Sequence, residues 1–464
     1  MTMWTVGRIL EATGGQLVRG NPAAAISALT IDSRRLSPGE AFVAIRGRRW
    51  DGHRFIEDAA HRGASCLIVS HVPMSPNGSG SLPTVLVEDT TQALGDLARF
   101  HRRRLARPVI AVTGSCGKTT TKELIAHLLG GPETVLKTAG TQNNHIGVPL
   151  TLLGMMPRHR MAVVELGSNH PGEIAYLASI AEPDVAVLTN VGPVHLEFFE
   201  SLLGVLREKL SLLDAVAPDG CAVLPGDQLD VCLEAPQHLL PTTRMVTFGT
   251  SDRCDLQALD IQRSPEGMSL RLRDQCGQWA VPLIGYHNVE NTLTAVACVW
   301  ALGVPLSVAK DRLASFEPVP LRTQIVRCNG LTILNDCYNA NPLSFARALE
   351  TLRDMEVRRK LVIVGDMLEL GAYAPSAHQA IGRLTAQMGI DAVMAVGEYA
   401  GEVAQGVREG RSENVVTYRT VQELIQQLPS VLQHGDGLLV KGSRRLNLEQ
   451  VTDFLLQRYG SGDT

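Results

Sequence analysis

Short apolar runs alternating with helical periodicity set the first outline of the chain. Val109-Ile110-Ala111-Val112, Ala162-Val163-Val164 and Val185-Ala186-Val187-Leu188 are brief, rich in β-branched residues and apolar throughout. That pattern predicts strands buried on both faces of a parallel sheet, with helical stretches between them. The scheme recurs in Leu361-Val362-Ile363-Val364, Ala392-Val393-Met394-Ala395-Val396 and Leu438-Leu439-Val440, each ending near Gly or Asp. This second set predicts a Rossmann-like α/β domain. It lacks a G-x-G-x-x-G fingerprint after its first strand, so no dinucleotide is implied. Two stretches break the pattern. Pro73, Ser75, Pro76, Asn77, Gly78, Ser79, Gly80 and Pro83 make His71 to Thr84 a loop, and Pro318 and Pro320 interrupt the helical pattern around Phe316. Domains of about 1-88, 89-316 and 317-464 are expected.

Length agrees with this division, because 464 residues at about 150 per domain suggest three cores. Charge narrows the partners. With 43 Lys plus Arg against 47 Asp plus Glu, net -4, no broad basic field exists to hold nucleic acid or an anionic membrane. The chain shows no basic-then-apolar start and no long apolar run, so a cytoplasmic protein is expected, with no membrane insertion. Nine cysteines without Cys-x-x-Cys pairs fit a reducing compartment and are read as small core or loop residues.

The chemistry begins where the first central strand ends. Gly114-Ser115-Cys116-Gly117-Lys118-Thr119-Thr120 follows Val112, and Leu124, Ile125, Leu128 and Leu129 then mark one face of a helix. Glycines let backbone N–H groups curl around phosphate oxygens at the helix N-terminus; Lys118 can reach terminal phosphates and Thr119 can ligate Mg²⁺. The common pattern has a glycine at position 112, where this chain has Val112, so the loop is a shorter variant. Glu165 ends the second strand and His195 follows the third, both at the sheet edge where ligands bind. Lys209 falls on a helical stretch, and its spacing alone predicts a solvated surface lysine.

Taken together these residues resemble the Mur ligases, cytoplasmic ATP-dependent amide-forming enzymes of peptidoglycan assembly. The likeness spans nearly the whole chain. It includes Asp32-Ser33-Arg34, Asp51-Gly52-His53, the short phosphate loop, Asn143-Asn144-His145-Ile146-Gly147 and Glu165-Leu166-Gly167. It continues through His195-Leu196-Glu197, Gly285-Tyr286-His287-Asn288-Val289-Glu290-Asn291, Asn335-Asp336-Cys337-Tyr338-Asn339-Ala340-Asn341-Pro342, Gly365-Asp366-Met367-Leu368-Glu369-Leu370-Gly371 and Lys441-Gly442-Ser443-Arg444. The Asp336 and Asp366 segments are similar to those of the member that joins D-alanyl-D-alanine to UDP-N-acetylmuramoyl-tripeptide.

The resemblance implies a small α/β domain for the uridine nucleotide, a central ATP-binding domain with a mostly parallel sheet, and a Rossmann-like domain for the incoming dipeptide. It implies that Thr119, Glu165 and His195 help place two Mg²⁺ ions, that Lys118 binds the terminal phosphates, and that Lys209 carries a carbamate as a metal ligand. Asn288, Asn291, Arg322, Asp336 and Tyr338 match nucleotide-lining positions, and Arg322 is also counted with Lys118, Lys209 and His195 as catalytic. Ser33, Arg34 and Arg46 are assigned to the uridine nucleotide, and Asn143, Asn144, Asn339, Asn341 and Lys441 to substrate. A monomer is expected. Other readings are a sibling ligase adding a single amino acid, a folylpolyglutamate-type ligase, or a phosphate-loop switch that ligates nothing. Three positions depart from the family pattern: Cys116 stands where asparagine is usual, Ser211 where glutamate is, and Glu200 where glycine is.

Overall fold

The computed structural model describes residues 4–47, 49–72 and 82–459. Residues 73 to 81 of the loop expected after His71 lie outside the described residues. The chain divides into two compact units. One comprises Met1–Ala111, Glu133–Leu166 and Ala175–Pro183; the other comprises Val112–Pro132, Gly167–Ile174 and Asp184–Thr464.

In the first unit, a five-stranded sheet runs in the order Gln16–Arg19, Thr84–Leu86, Cys66–Val69, Ala41–Val43, Leu29–Thr30. Its first pair is antiparallel and the rest are parallel. Side chains alternate between faces with the two-residue strand period. Ala41, Val43, Cys66 and Ile68 therefore pack with Trp4, Val6 and Ile9, while Phe42, Leu67 and Val69 pack with Leu36, Ile56 and Ala59. The helix Thr90–Leu105, capped by the Asp89 carboxylate on the Thr91 and Gln92 amides, adds Ala93 and Leu97 to the first of these cores. The same unit pairs Met161–Glu165 with Val135–Lys137 in parallel, and all but the first residue of Met161–Glu165 are buried.

In the second unit, Val185–Leu188, Cys221–Pro225, Arg244–Gly249 and Leu256–Ser264 are successive parallel neighbours. Gly267–Leu272 and Trp279–Val281 extend them antiparallel. A separate six-stranded sheet has the order Gln324–Cys328, Leu331–Asn335, Asp436–Lys441, Arg359–Gly365, Ala392–Val396, Val415–Tyr418. Only its first pair is antiparallel. Each predicted run of this domain lies inside a strand, and helices cover both faces, as in a doubly wound fold. Because Leu331–Asn335 and Asp436–Lys441 are parallel neighbours, their carboxyl ends lie side by side, which brings Asp336 to Lys441.

None of the nine cysteines is in a disulfide: six are buried, Cys116 and Cys232 are half-buried and Cys276 is exposed. Among the described residues, no helix is long and apolar enough to cross a membrane.

Candidate active site

The strand Val109–Thr113 is buried at every residue and delivers the chain into the glycine loop, after which Lys118–Leu128 forms the expected helix. Two glycines are required here. Gly114 has φ +146° and a Cβ there would strike the Thr189 hydroxyl; Gly117 has φ +82° and a Cβ would strike the Asn291 carboxamide oxygen. The loop is held from outside by the residues following Val185–Leu188. Asn190 Oδ1 accepts the Cys116 amide at 3.0 Å, its Nδ2 donates to the Cys116 carbonyl at 3.2 Å, and Thr189 Oγ1 donates to that carbonyl at 2.6 Å. Ser115 Oγ donates to Gly192 O and accepts from Gly192 N, both at 2.9 Å. Lys118 Nζ folds over the loop, donating to Gly114 O at 2.7 Å. Thr119 and Thr120 are buried in the first helical turn.

Sequence reasoning missed Thr189 and Asn190. Their signal was the position after a buried strand, beside the phosphate loop.

Lys209 departs from the spacing-based expectation. It is only 1% exposed, on the helix Leu202–Leu210, and its Nζ donates to Ser168 Oγ at 2.8 Å. Burial, helped by the nearby Lys118 charge and opposed by Glu208 and Glu173, pushes its ammonium down to about 7. Its neutral form is therefore accessible near physiological pH. The neighbouring Glu208, also buried, accepts the amides of Gly172 at 2.7 Å and Ile174 at 2.9 Å, fastening the segment that carries Ser168.

His195 begins the short helix Leu196–Phe199 in the left-handed region, φ +49°. Its Nδ1 lies 3.1 Å from Glu369 Oε2, which holds the Glu369 carboxyl below the usual range. Glu369 belongs to the quoted Asp366 segment, but its role was not foreseen.

The nucleotide-matched residues gather in the same unit. Asn291 Nδ2 donates to Asn288 Oδ1 at 2.8 Å, and the buried Asn291 Oδ1, facing the loop at Gly117, has no hydrogen-bond partner among the described residues. The Arg322 guanidinium lies 4.2 Å from the Tyr338 ring centroid. Asp336 receives Lys441 Nζ at 2.6 Å, and the same ammonium donates to Asn339 O at 3.0 Å. Lys441 is buried and is spent on this ion pair. Asn341 caps the helix Pro342–Arg353 by accepting the Ser344 amide, and its carboxamide meets Cys116 Sγ at 3.6 Å.

The remaining assignments fall in the other unit. Glu165 is 1% exposed, and its Oε1 accepts Asn143 Nδ2 at 2.8 Å. Asn144 Oδ1 accepts the Ile146 and Gly147 amides, starting the helix Gly147–Leu153. Ser33 is buried in a single turn, whereas the Arg34 side chain is 82% exposed and pairs with Asp32, which it holds down to about 2. Arg46 forms an antiparallel bridge with Asp51. Among the described residues, no three His, Cys, Asp or Glu side chains gather as a metal cluster.

A glycine phosphate loop, a lysine over it and a second lysine buried on Ser168 define a nucleotide-binding enzyme site of the ATP-dependent ligase class. Three family descriptions match the chain: Mur ligase family, catalytic domain over residues 25–102; Mur ligase middle domain over 112–299; and Mur ligase, glutamate ligase domain over 321–444. The chain belongs to the Mur ligase family.

It is 36% identical to the UDP-N-acetylmuramoyl-tripeptide–D-alanyl-D-alanine ligase of Escherichia coli, covering 96% of this chain and 97% of that one. It is 33% identical to the ligase of the same name from Bacillus subtilis, covering 98% of both. Its fold matches the crystal structure of MurF from Acinetobacter baumannii with a TM-score of 0.89 at 31% identity, covering 98% of this chain and 99% of that chain. It also matches MurF from Thermotoga maritima in complex with ADP with a TM-score of 0.83 at 28% identity, covering 93% and 97%.

Proposed function

We propose that the chain joins D-alanyl-D-alanine to UDP-N-acetylmuramoyl-tripeptide at the expense of ATP. The observation in the structure that carries the ligase reading is Lys209, a lysine buried against Ser168 whose ammonium is lowered by that burial and by the phosphate-loop Lys118.

A carboxylate is not attacked by an amine at neutral pH, because oxide is too poor a leaving group. The tripeptide carboxylate oxygen first bonds to the γ-phosphorus of ATP while the bond to ADP breaks, giving an acyl phosphate. The dipeptide amine then bonds to the carbonyl carbon and gives up a proton, and the carbon–oxygen bond to phosphate breaks. Phosphoryl transfer is governed by positioning and charge neutralisation. The amides of the loop and the Lys118 ammonium supply both, with Thr189 and Asn190 keeping the loop in shape. Asn288 and Asn291 present carboxamides beside the loop, and Arg322 on Tyr338 presents a flat cation to the nucleotide.

Thr119, His195 and Lys209 are the residues of this unit that we assign to Mg²⁺, and Glu165 is a carboxylate of the kind such an ion takes. A hydroxyl, a carboxylate and an imidazole suit an ion that takes much of its coordination from phosphate and water. When bound, Mg²⁺ would supply charge neutralisation to the phosphoryl transfer. A lysine amine must be neutral to bond to the carbon of CO₂, and the burial of Lys209 meets that condition. Loss of a proton then leaves a carbamate, which converts a cation into a carboxylate-like ligand. We assign this modification to Lys209.

The acyl-phosphate route is tested by labelling the tripeptide's reacting carboxylate with ¹⁸O. One label is expected in each released phosphate. Phosphate released without label would exclude the intermediate.

A further inference from the structure

Arg322 stands between two strained residues. Leu321 has φ +63° and Thr323 φ +49°, a region that non-glycine residues hold only where their surroundings impose it. The surroundings are specific. Leu321 N donates to Gln324 Oε1 at 3.1 Å, and Tyr338 N donates to Leu321 O at 3.2 Å. Thr323 N donates to Asp336 Oδ1 at 2.9 Å, and the Thr323 hydroxyl lies 3.2 Å from His287 Nε2. Thr323 is itself buried.

These contacts join three parts of the nucleotide site. His287 opens the helix His287–Ala301, which carries Asn288 and Asn291 to the phosphate loop. Asp336 holds Lys441 through its second oxygen. Between them, among the described residues, the only side-chain link that Thr323 contributes is its hydroxyl. Burial pushes His287 down to about 4, so the ring is neutral at physiological pH and meets the hydroxyl as one uncharged group meeting another.

Building on the assignment of ATP to this site, we infer that Thr323 is a positioning residue for nucleotide binding: its hydroxyl on His287 and its amide on Asp336 set the backbone that lays Arg322 against Tyr338. The role belongs to the hydroxyl. Valine has nearly the same shape and the same branching, so Thr323→Val removes the hydrogen bond with little change in packing or backbone preference, and Thr323→Ser restores it.

The test measures ADP affinity by calorimetry on the full chain, together with KM for each substrate. Thr323→Val is expected to weaken ADP and raise KM for ATP about five- to tenfold, with Thr323→Ser and KM for the uridine substrate staying within about twofold of the parent. Parental ADP affinity in Thr323→Val would overturn the inference. So would a serine variant as impaired as the valine one, or an equal rise in both KM values, which would mark a general loosening. Failure of the parent chain itself to bind ADP would instead overturn the ATP assignment on which the inference rests.

Discussion

Lys118→Ala is expected to lower ligation by at least about a thousandfold while leaving the fold intact, because the lost charge acts on the transferring phosphoryl group. The side chain is half-buried and donates to the Gly114 and Ser115 carbonyls of its own loop, so it contributes little to the core. Loop shape rests on other contacts, those from Thr189, Asn190 and Gly192. Alanine is also a favourable residue for the first turn of Lys118–Leu128. Steady-state phosphate release and circular dichroism of the variant check both parts. Retained turnover would remove the loop from the chemistry.

Lys209→Ala is expected to be nearly as damaging, with a loss of about a hundredfold or more from the missing charge stabilisation, and to recover in part when short carboxylates such as acetate or propionate are added. Recovery follows from the geometry: truncation opens space inside the buried site, and an added carboxylate supplies the anionic oxygens that a carbamate would. The parent enzyme, stripped of CO₂, should regain activity faster as pH rises when the concentration of dissolved CO₂ is held fixed, since burial lowers the ammonium and only the neutral amine bonds to CO₂. An unimpaired Lys209→Ala variant, or one indifferent to carboxylates, would withdraw the carbamate from the account.

The contrast between these two lysines shows what the sequence could convey. Lys118 was legible because strand, glycines, lysine and helix are adjacent in the chain and each has a separate physical reason to be there. Lys209 was not, because helical periodicity assumes that charged residues face water. The helix Leu202–Leu210 reverses that rule: Leu202 and Leu203 are about half exposed, while Glu208 and Lys209 are buried. Only the resemblance singled out Lys209. Glu208 and Ser168, which hold its surroundings, come from separate segments and carried no local signal.

Strands were the most readable elements. Ala392–Val396 and Val185–Leu188 have the bounds their apolar runs indicate, and Val109–Thr113 extends by one residue. Continuous β-branched runs leave little choice when both faces are buried. The polar residues at strand ends were readable in position but not in partnership. Asp336 and Lys441 are 105 residues apart, and only the parallel pairing of their strands makes them an ion pair. Asn144 and Asn341, assigned to substrate by resemblance, have their carboxamides engaged at helix starts. Asparagine serves both purposes, and sequence does not separate them.

The joining of these two particular substrates is read out by phosphate release from ATP in the presence of Mg²⁺, UDP-N-acetylmuramoyl-tripeptide and D-alanyl-D-alanine, each omitted in turn. Release is expected only when all are present, with a product whose mass equals the two substrates less one water. Release that depends on a free amino acid in place of the dipeptide, or that proceeds without any amine, would contradict it.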